Sequence, residues 1–152
     1  MSEEQQTPLF NIEKIYLKDA SVEVPNAPQI FLVRETPQVD VQIHTEGAPV
    51  DEGIYEVLVT VTVTAKIADG KTMFLVEASQ AGIFTMRNIP EGDLEAILGI
   101  GCPNIIFPYV RETISDLVNR SGFPPVILSP VNFEAMYAQR HAQADEAPAA
   151  TH

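Results

Sequence analysis

The clearest pattern in the chain is the alternation of apolar and polar positions over residues 55–67, YEVLVTVTVTAKI. Every odd position there is apolar, and most even positions hold threonine or a charged residue. Period-two alternation with β-branched residues predicts a β-strand with one dry face. The favoured tight-turn pair Asp69-Gly70 follows this strand and precedes a second apolar stretch at 73–84. Residues 55–84 are therefore predicted to form an antiparallel hairpin.

Two earlier segments also show extended patterns. Residues 10–24 carry apolar side chains on both sides of the predicted strand, and Lys14 and Lys18 interrupt the more apolar, even-numbered face. Because apolar side chains need cover, we expect both faces of this strand to be covered. Residues 39–43 form a shorter alternating strand, and the proline-punctuated stretch 25–37 connects the two segments.

Past Pro90 the spacing of apolar residues changes from two to that of a helix. From Asn104 onward the apolar positions lie three or four residues apart, which is typical of one helix face. Asn104 is expected to cap this helix, and Gly122 to end it. A second helix is expected to start at Pro130. Four strands followed by two C-terminal helices predict an α+β domain with a four-stranded antiparallel sheet.

The chain is strongly acidic, with a formal net charge of −12 over 152 residues. The first 56 residues hold eleven acidic residues against three basic ones. The resulting negative electrostatic field repels phosphate backbones, so we expect no nucleic-acid partner and no attraction to anionic membranes. The same field would attract a basic protein partner. No apolar run resembles a signal peptide or a membrane span, so we expect a cytoplasmic protein without membrane insertion. A single domain is expected over 10–141, between disordered tails at 1–9 and 142–152.

The one candidate for chemistry is Cys102, the only cysteine, in the stretch GIGCPNIIFPYV at 99–110. A thiol at a helix N-terminus can become a nucleophile because its pKa is lowered there. However, His44 is the only histidine that lies away from the predicted C-terminal tail, since His141 and His152 lie near or in it. No nucleophile, metal or phosphate-loop motif accompanies the thiol. We therefore expect a structural thiol, no catalytic residue, no metal and no cofactor.

Two long strings, KDASVEVPNAP at 18–28 and CPNIIFPYVRE at 102–112, resemble the SecB family of bacterial protein-export chaperones. The resemblance also covers YEVLVTVTVTA at 55–65 and extends from Phe10 to about Arg140. It implies a homotetramer, arranged as a dimer of dimers, that binds unfolded precursor proteins without ATP. It further implies delivery of these precursors to SecA, the motor of the Sec translocon.

Carried over position by position, the resemblance assigns two sets of site residues. The SecA-binding set is Asp19, Glu23, Leu75 and Glu77. The client-binding groove is assigned to Phe31 in the connection and to Phe133 and Tyr137 in the last helix, although Phe133 and Met136 could equally be core residues. Family members commonly have a tryptophan in this connection, and this chain has none.

Three other interpretations stay open at the level of sequence. A SecB-like chaperone dedicated to an antitoxin or another single client could have nearly the same sequence. A small thiol enzyme that uses Cys102 is the alternative from a different class, and a purely structural oligomer is the third.

Overall fold

Four strands form one antiparallel sheet in the computed structural model, which describes the backbone of residues 7–150 and the side chains of residues 7–143. The strands are β1 (Leu9–Glu23), β2 (Gln38–Asp51), β3 (Ile54–Lys66) and β4 (Thr72–Arg87), in the order β1-β4-β3-β2. The predicted hairpin is confirmed as β3 and β4, and Gly70 adopts a positive φ of 86° in the turn between them. The first six residues of the expected N-terminal tail lie outside the described part.

Strand β1 is irregular at two places, and this changes the direction of its side chains. The pairing with β4 shifts between Ile12 and Lys14 and again between Leu17 and Asp19. Each extra residue reverses the alternation of faces. As a result, six apolar residues of β1 share the sheet face of Phe84: Phe10, Ile12, Ile15, Leu17, Ala20 and Val22. The apolar residues that fall on both sides of this strand in sequence thus come from two breaks in the alternation. Cover on both faces of the strand stays a prediction.

The helices cover one side of the sheet. Helix α1 (Glu91–Ala96) continues through a π-helical segment (Ile97–Gly101) directly into α2 (Cys102–Arg120), which packs on β3 and β4. Fully buried side chains from the three elements form the core, and burying each large one contributes about 1.5–3 kcal/mol. They include Val59, Val61, Val63, Val76, Val110, Ile114 and Val118.

The N-terminus of α2 differs from the sequence prediction. Asn104 does not cap the helix, because α2 begins at Cys102, and no side chain among the described residues caps it. The chain is already helical when it reaches Cys102, so the first turn of α2 needs no cap. The predicted end of the helix is confirmed, since Gly122 has a φ of 94° immediately after it.

Helix α3 (Phe133–Ala150) follows an extended segment, and the Oδ1 atom of Asn132 accepts a hydrogen bond from the Ala135 N–H at 2.9 Å. Its last turns cover most of the segment 142–152 that was expected to be a tail. Side chains from residue 144 onward and the backbone of the last two residues lie outside the described part, so the order of this segment stays a prediction. The α+β class and the four-stranded antiparallel sheet are confirmed, with the short helix α1 in addition.

Candidate functional site: a polar sheet face and an apolar groove

The sheet side opposite the helices is polar, and strand pairing brings the predicted SecA-binding residues together there. Glu23 lies directly opposite Leu75, and Ser21 lies opposite Glu77. Asp19 pairs with Ser79, which is two residues from Glu77 and therefore shares its face. We call Asp19, Glu23, Leu75 and Glu77 the acidic patch. The structure places these four residues on one face across β1 and β4, while their binding role stays a prediction.

Hydroxyl groups of β3 support the acidic patch from the side. Thr62 Oγ1 donates a hydrogen bond to Glu77 Oε2 at 2.7 Å, and the Thr60 and Ser79 hydroxyls lie 2.8 Å apart. The Glu77 carboxylate is therefore held in a fixed direction. Asp19 and Glu23 are exposed, and neither side chain has a hydrogen bond or an ion pair among the residues that the structure describes. Their charges are available to a partner.

A second cluster on this face ties the irregular strand β1 to β3. Lys18 Nζ lies 2.8 Å from Glu56 Oε1, and the Tyr16 hydroxyl donates a hydrogen bond to Glu56 Oε2. Burial by itself would raise the pKa of Glu56, but the hydrogen bonds from Lys18 and Tyr16 outweigh this and lower it. Because Lys18 is the extra residue of the second irregularity, the cluster stabilises the register that turns Asp19 toward the polar face.

An open apolar groove lies where the connection between β1 and β2 meets the segment after α2. Its volume is about 640 Å³, and we call it the aromatic groove. Three phenylalanine rings form a continuous row. The ring centroids of Phe31 and Phe123 lie 5.1 Å apart in a stacked pair, and those of Phe123 and Phe74 lie 5.1 Å apart in a tilted pair. The lining residues are Ile30, Phe31, Val33, Arg34, Glu35, Thr36, Pro37, Val39, Met73, Phe74, Gly122, Phe123, Pro124 and Val126.

The three predicted groove residues separate in the structure. Phe31 lines the aromatic groove and is 48% exposed. Phe133 is instead a core residue, 2% exposed and packed edge-on against Phe107 at 5.7 Å. Tyr137 lines a different, smaller cavity of about 270 Å³ between α3, the π-helical segment and β2. Assignment of Phe133 to the groove is thus corrected, because the start of α3 turns its ring toward α2.

Sequence reasoning missed Phe74 and Phe123 as groove residues. Phe123 stands in the string Gly122-Phe123-Pro124-Pro125, which indicated only the end of a helix. Phe74 belongs to the apolar face of β4, which indicated only core. No local pattern shows that these two rings line the same groove as Phe31. Phe31 lies 43 residues before Phe74 and 92 residues before Phe123 in sequence.

Cys102 is not an activated nucleophile. The side chain is buried, and burial raises the pKa of the thiol to about 12. The preceding helical residues occupy the position from which a free helix N-terminus would have lowered that pKa. His44, the one candidate base, pairs with Thr60 on the opposite, polar side of the sheet. These two residues cannot act together.

Metal-ligating clusters and membrane-spanning helices are both absent from the described part of the chain. Within residues 7–143 no three histidine, cysteine or carboxylate side chains come together as a metal site. Nor does any helix in the described portion have the length and apolar content to cross a membrane. The chain is thus a small α+β protein with an acidic patch on one sheet face and an open apolar groove at one sheet end.

Comparison with known proteins identifies the family. The family model for preprotein translocase subunit SecB matches residues 3–144. Protein-export protein SecB of Nitrosospira multiformis is 60% identical over 149 residues, which cover 98% of this chain and 93% of that protein. The SecB protein of Methylobacillus flagellatus is also 60% identical, over 99% of both chains. The chain belongs to the SecB family, as the sequence resemblance predicted.

A solved structure shares the fold. The SecB-like chaperone of Mycobacterium tuberculosis, determined in complex with a ChAD peptide from the HigA1 antitoxin, matches with a TM-score of 0.66. The match covers 80% of this chain and 90% of that one, at 18% sequence identity. At this identity the likeness concerns the fold alone.

Proposed function

We propose that this protein is an ATP-independent cytoplasmic chaperone that holds unfolded precursor proteins in a translocation-competent state and delivers them to SecA. The observation that carries the proposal is the separation of two surfaces. The acidic patch lies on one side of the sheet, and the aromatic groove lies at the sheet end that α2 and the connection enclose. A client and a basic partner can therefore be bound together, which delivery requires.

For SecA binding, the acidic patch supplies the contact. Two exposed carboxylates and one oriented carboxylate surround the partly exposed Leu75, so a basic partner surface gains charge pairing around one apolar contact. Such pairing at an exposed surface is modest and depends on salt.

Calorimetric titration of SecA with Asp19→Asn and Glu77→Gln tests this role. Each variant should weaken binding about three- to tenfold at low ionic strength, and the difference should shrink in high salt. Glu52→Gln is the matched control, since it removes one exposed charge in the turn between β2 and β3. Equal affinities for Glu77→Gln and Glu52→Gln would disprove the assignment.

For client binding, the aromatic groove supplies an apolar surface that can bind apolar side chains of a client with little dependence on the client's sequence. Phe31→Ala should reduce the delay that the protein imposes on the refolding of a denatured precursor. Leu32→Ala is the control, because Leu32 is the next residue, is 82% exposed and does not line the groove. A refolding delay as long with Phe31→Ala as with Leu32→Ala would argue against the groove as the client site. Several unrelated clients in the same assay distinguish a general chaperone from one dedicated to a single client.

We further propose that the protein assembles as a homotetramer, a dimer of dimers. Support comes from β1, an edge strand whose apolar side chains on the helix side remain 37% to 49% exposed: Phe10, Ile12, Leu17 and Val22. An exposed apolar edge of this length favours association, and a second copy of the chain would cover it.

Light scattering coupled to size exclusion measures the assembly. The expected mass is about four times the 16.7 kDa of one chain. Leu17→Asp should lower this mass, whereas Val50→Asp, at an exposed position near the end of β2, should leave it unchanged. A monomeric wild-type protein would contradict the proposed assembly.

A further inference from the structure

Thr62 lies beside the acidic patch, and its hydroxyl group fixes the direction of one patch carboxylate. Thr62 on β3 and Glu77 on β4 lie directly opposite each other, and Thr62 Oγ1 donates a hydrogen bond to Glu77 Oε2 at 2.7 Å. Both side chains are half-buried, so water competes less for this hydrogen bond than for one on the open surface. The Glu77 side chain is therefore tilted toward β3.

This tilt separates Glu77 from the other two carboxylates of the acidic patch. On the β1 side Glu77 faces Ser21, and Asp19 and Glu23 lie two residues before and after Ser21 on the same face. A Glu77 carboxylate that leaned toward Ser21 would approach both of these like charges, and neighbouring like charges on a sheet repel each other. The hydroxyl group of Thr62 thus keeps the negative charge of the patch spread across two strands.

We propose that Thr62 is a positioning residue of the acidic patch, which raises the affinity for a basic partner by holding Glu77 in its bound direction. The inference rests on the proposed function of the acidic patch as the SecA-binding surface. A carboxylate has about four acceptor sites on its two oxygens, so one hydroxyl donor leaves Oε1 and part of Oε2 to a lysine or arginine of the partner. A side chain that is already held in its bound direction loses little conformational entropy when the partner binds.

The rate constants of binding distinguish this role from an effect of charge. Valine is close to threonine in shape and Thr62→Val changes no charge, so the long-range attraction of a basic partner and the association rate constant should stay the same. The loss of a fixed Glu77 direction should instead appear as dissociation that is about two- to tenfold faster. Glu77→Ala removes a charge and should therefore slow association at low ionic strength as well.

Stopped-flow measurement of SecA binding to the full-length protein tests the proposal. Thr62→Val and Thr62→Ala should both bind SecA about two- to tenfold more weakly than the wild type, whereas Thr62→Ser keeps the hydroxyl group and should restore the affinity. The matched control is Thr85→Val, because Thr85 Oγ1 donates a hydrogen bond of the same kind to Glu13 Oε2 at 2.8 Å. Thr85 lies eight residues from Glu77 along β4, about 27 Å away, so this variant should bind SecA like the wild type. Urea unfolding should show a similar loss of stability for Thr62→Val and Thr85→Val.

A double-mutant cycle with Glu77→Ala separates positioning from direct contact with the partner. In the Glu77→Ala background, Thr62→Val should have no further effect on SecA binding. A loss that persists there would mean that Thr62 meets the partner itself, and it would overturn the proposal, as would equal dissociation rates for Thr62→Val and Thr85→Val. If Glu77→Ala weakens binding while Thr62→Val does not, the acidic patch keeps its function and only the role of Thr62 is wrong. Should Glu77→Ala also be without effect, Glu77 is not a SecA contact, and the inference falls with that assignment.

Discussion

Helix α3 is attached to the rest of the domain through one face. Phe133 packs on Phe107 in the core, and the Tyr137 ring packs on the backbone of Gly99 in the π-helical segment. Further along, Arg140 Nη2 donates a hydrogen bond to Thr45 Oγ1 at 2.8 Å. These positions are four and three residues apart, as on one helix face. The contact at Gly99 leaves no room for even one more carbon atom and is therefore the most sensitive to a small change.

Gly99→Ala should displace α3. A Cβ atom at residue 99 would lie 2.5 Å from Tyr137 Cδ1 and 2.8 Å from Cε1, so the rigid ring must retreat by about 1 Å to reach a normal separation. Overpacking of this kind costs about 1–3 kcal/mol. The better helix propensity of alanine, about 0.5–1 kcal/mol, favours the π-helical segment equally in the docked and undocked states, so it does not offset this cost. The docked state of α3 should therefore lose about 1–3 kcal/mol, which is about a five- to 150-fold change in the ratio of docked to undocked helix.

Limited trypsin digestion at Arg140 measures this ratio, because cleavage there requires local opening of α3 and follows the population of the open form. Cleavage of the Gly99→Ala variant should be about five- to 150-fold faster than that of the wild type. The free energy of global unfolding should change less than the free energy of docking α3, because the variant can relieve the clash by undocking α3 while the rest of the domain stays folded. Faster hydrogen exchange confined to α3 would support the same conclusion independently.

The matched control is Gly101→Ala in the same π-helical segment. A Cβ atom there would meet only Ile97 Cγ2, at 3.9 Å, so this variant should be as resistant to trypsin as the wild type. In a Tyr137→Ala background the Gly99→Ala change should have no further effect, since the clashing ring is gone. Equal cleavage rates for the Gly99→Ala and Gly101→Ala variants would refute the reasoning.

Three other predictions follow from the contacts of single side chains. Glu56→Gln should lower the free energy of unfolding in urea at a pH above the ordinary carboxyl pKa. This difference from the wild type should vanish as the pH falls through the lowered pKa of Glu56, and a difference independent of pH would contradict the reasoning. Cys102, with its pKa raised to about 12, should react with a disulfide reagent at pH 8 no faster than the protein unfolds, and rapid labelling of the folded protein would speak against its burial. Phe133→Ala should lower the free energy of unfolding by about 3–5 kcal/mol, well above the cost of Phe31→Ala, and similar costs would argue against a core position for Phe133.

The hairpin of β3 and β4 could be predicted from sequence because its determinants are local. Strict alternation specifies the faces of a strand, and Asp69-Gly70 specifies a turn, so neither requires knowledge of distant residues. The end of α2 at Gly122 is local in the same sense, since the positive φ there favours glycine. The residues of the acidic patch could also be named from sequence, because the family resemblance points to them. The pairing of β1 with β4 then places them on one face.

The direction of the β1 side chains depends on tertiary structure. Lys14 and Lys18 interrupt the apolar pattern in sequence, but only the pairing with β4 shows that the strand inserts two extra residues and keeps its apolar side chains on one face. The start of α2 is a similar case, because Asn104 has the chemistry of a cap but follows residues that are already helical.

The chain's own pattern is enough to specify a four-stranded antiparallel sheet followed by C-terminal helices, and membership of the SecB family. The aromatic groove is a property of the folded molecule, since Phe31, Phe74 and Phe123 come from three separate elements and stack only after these pack together. The same packing separates Phe133 from the groove. Periodicity along a chain reports which residues share an element, whereas a binding surface depends on which elements meet, and that is decided by the packing of the whole domain.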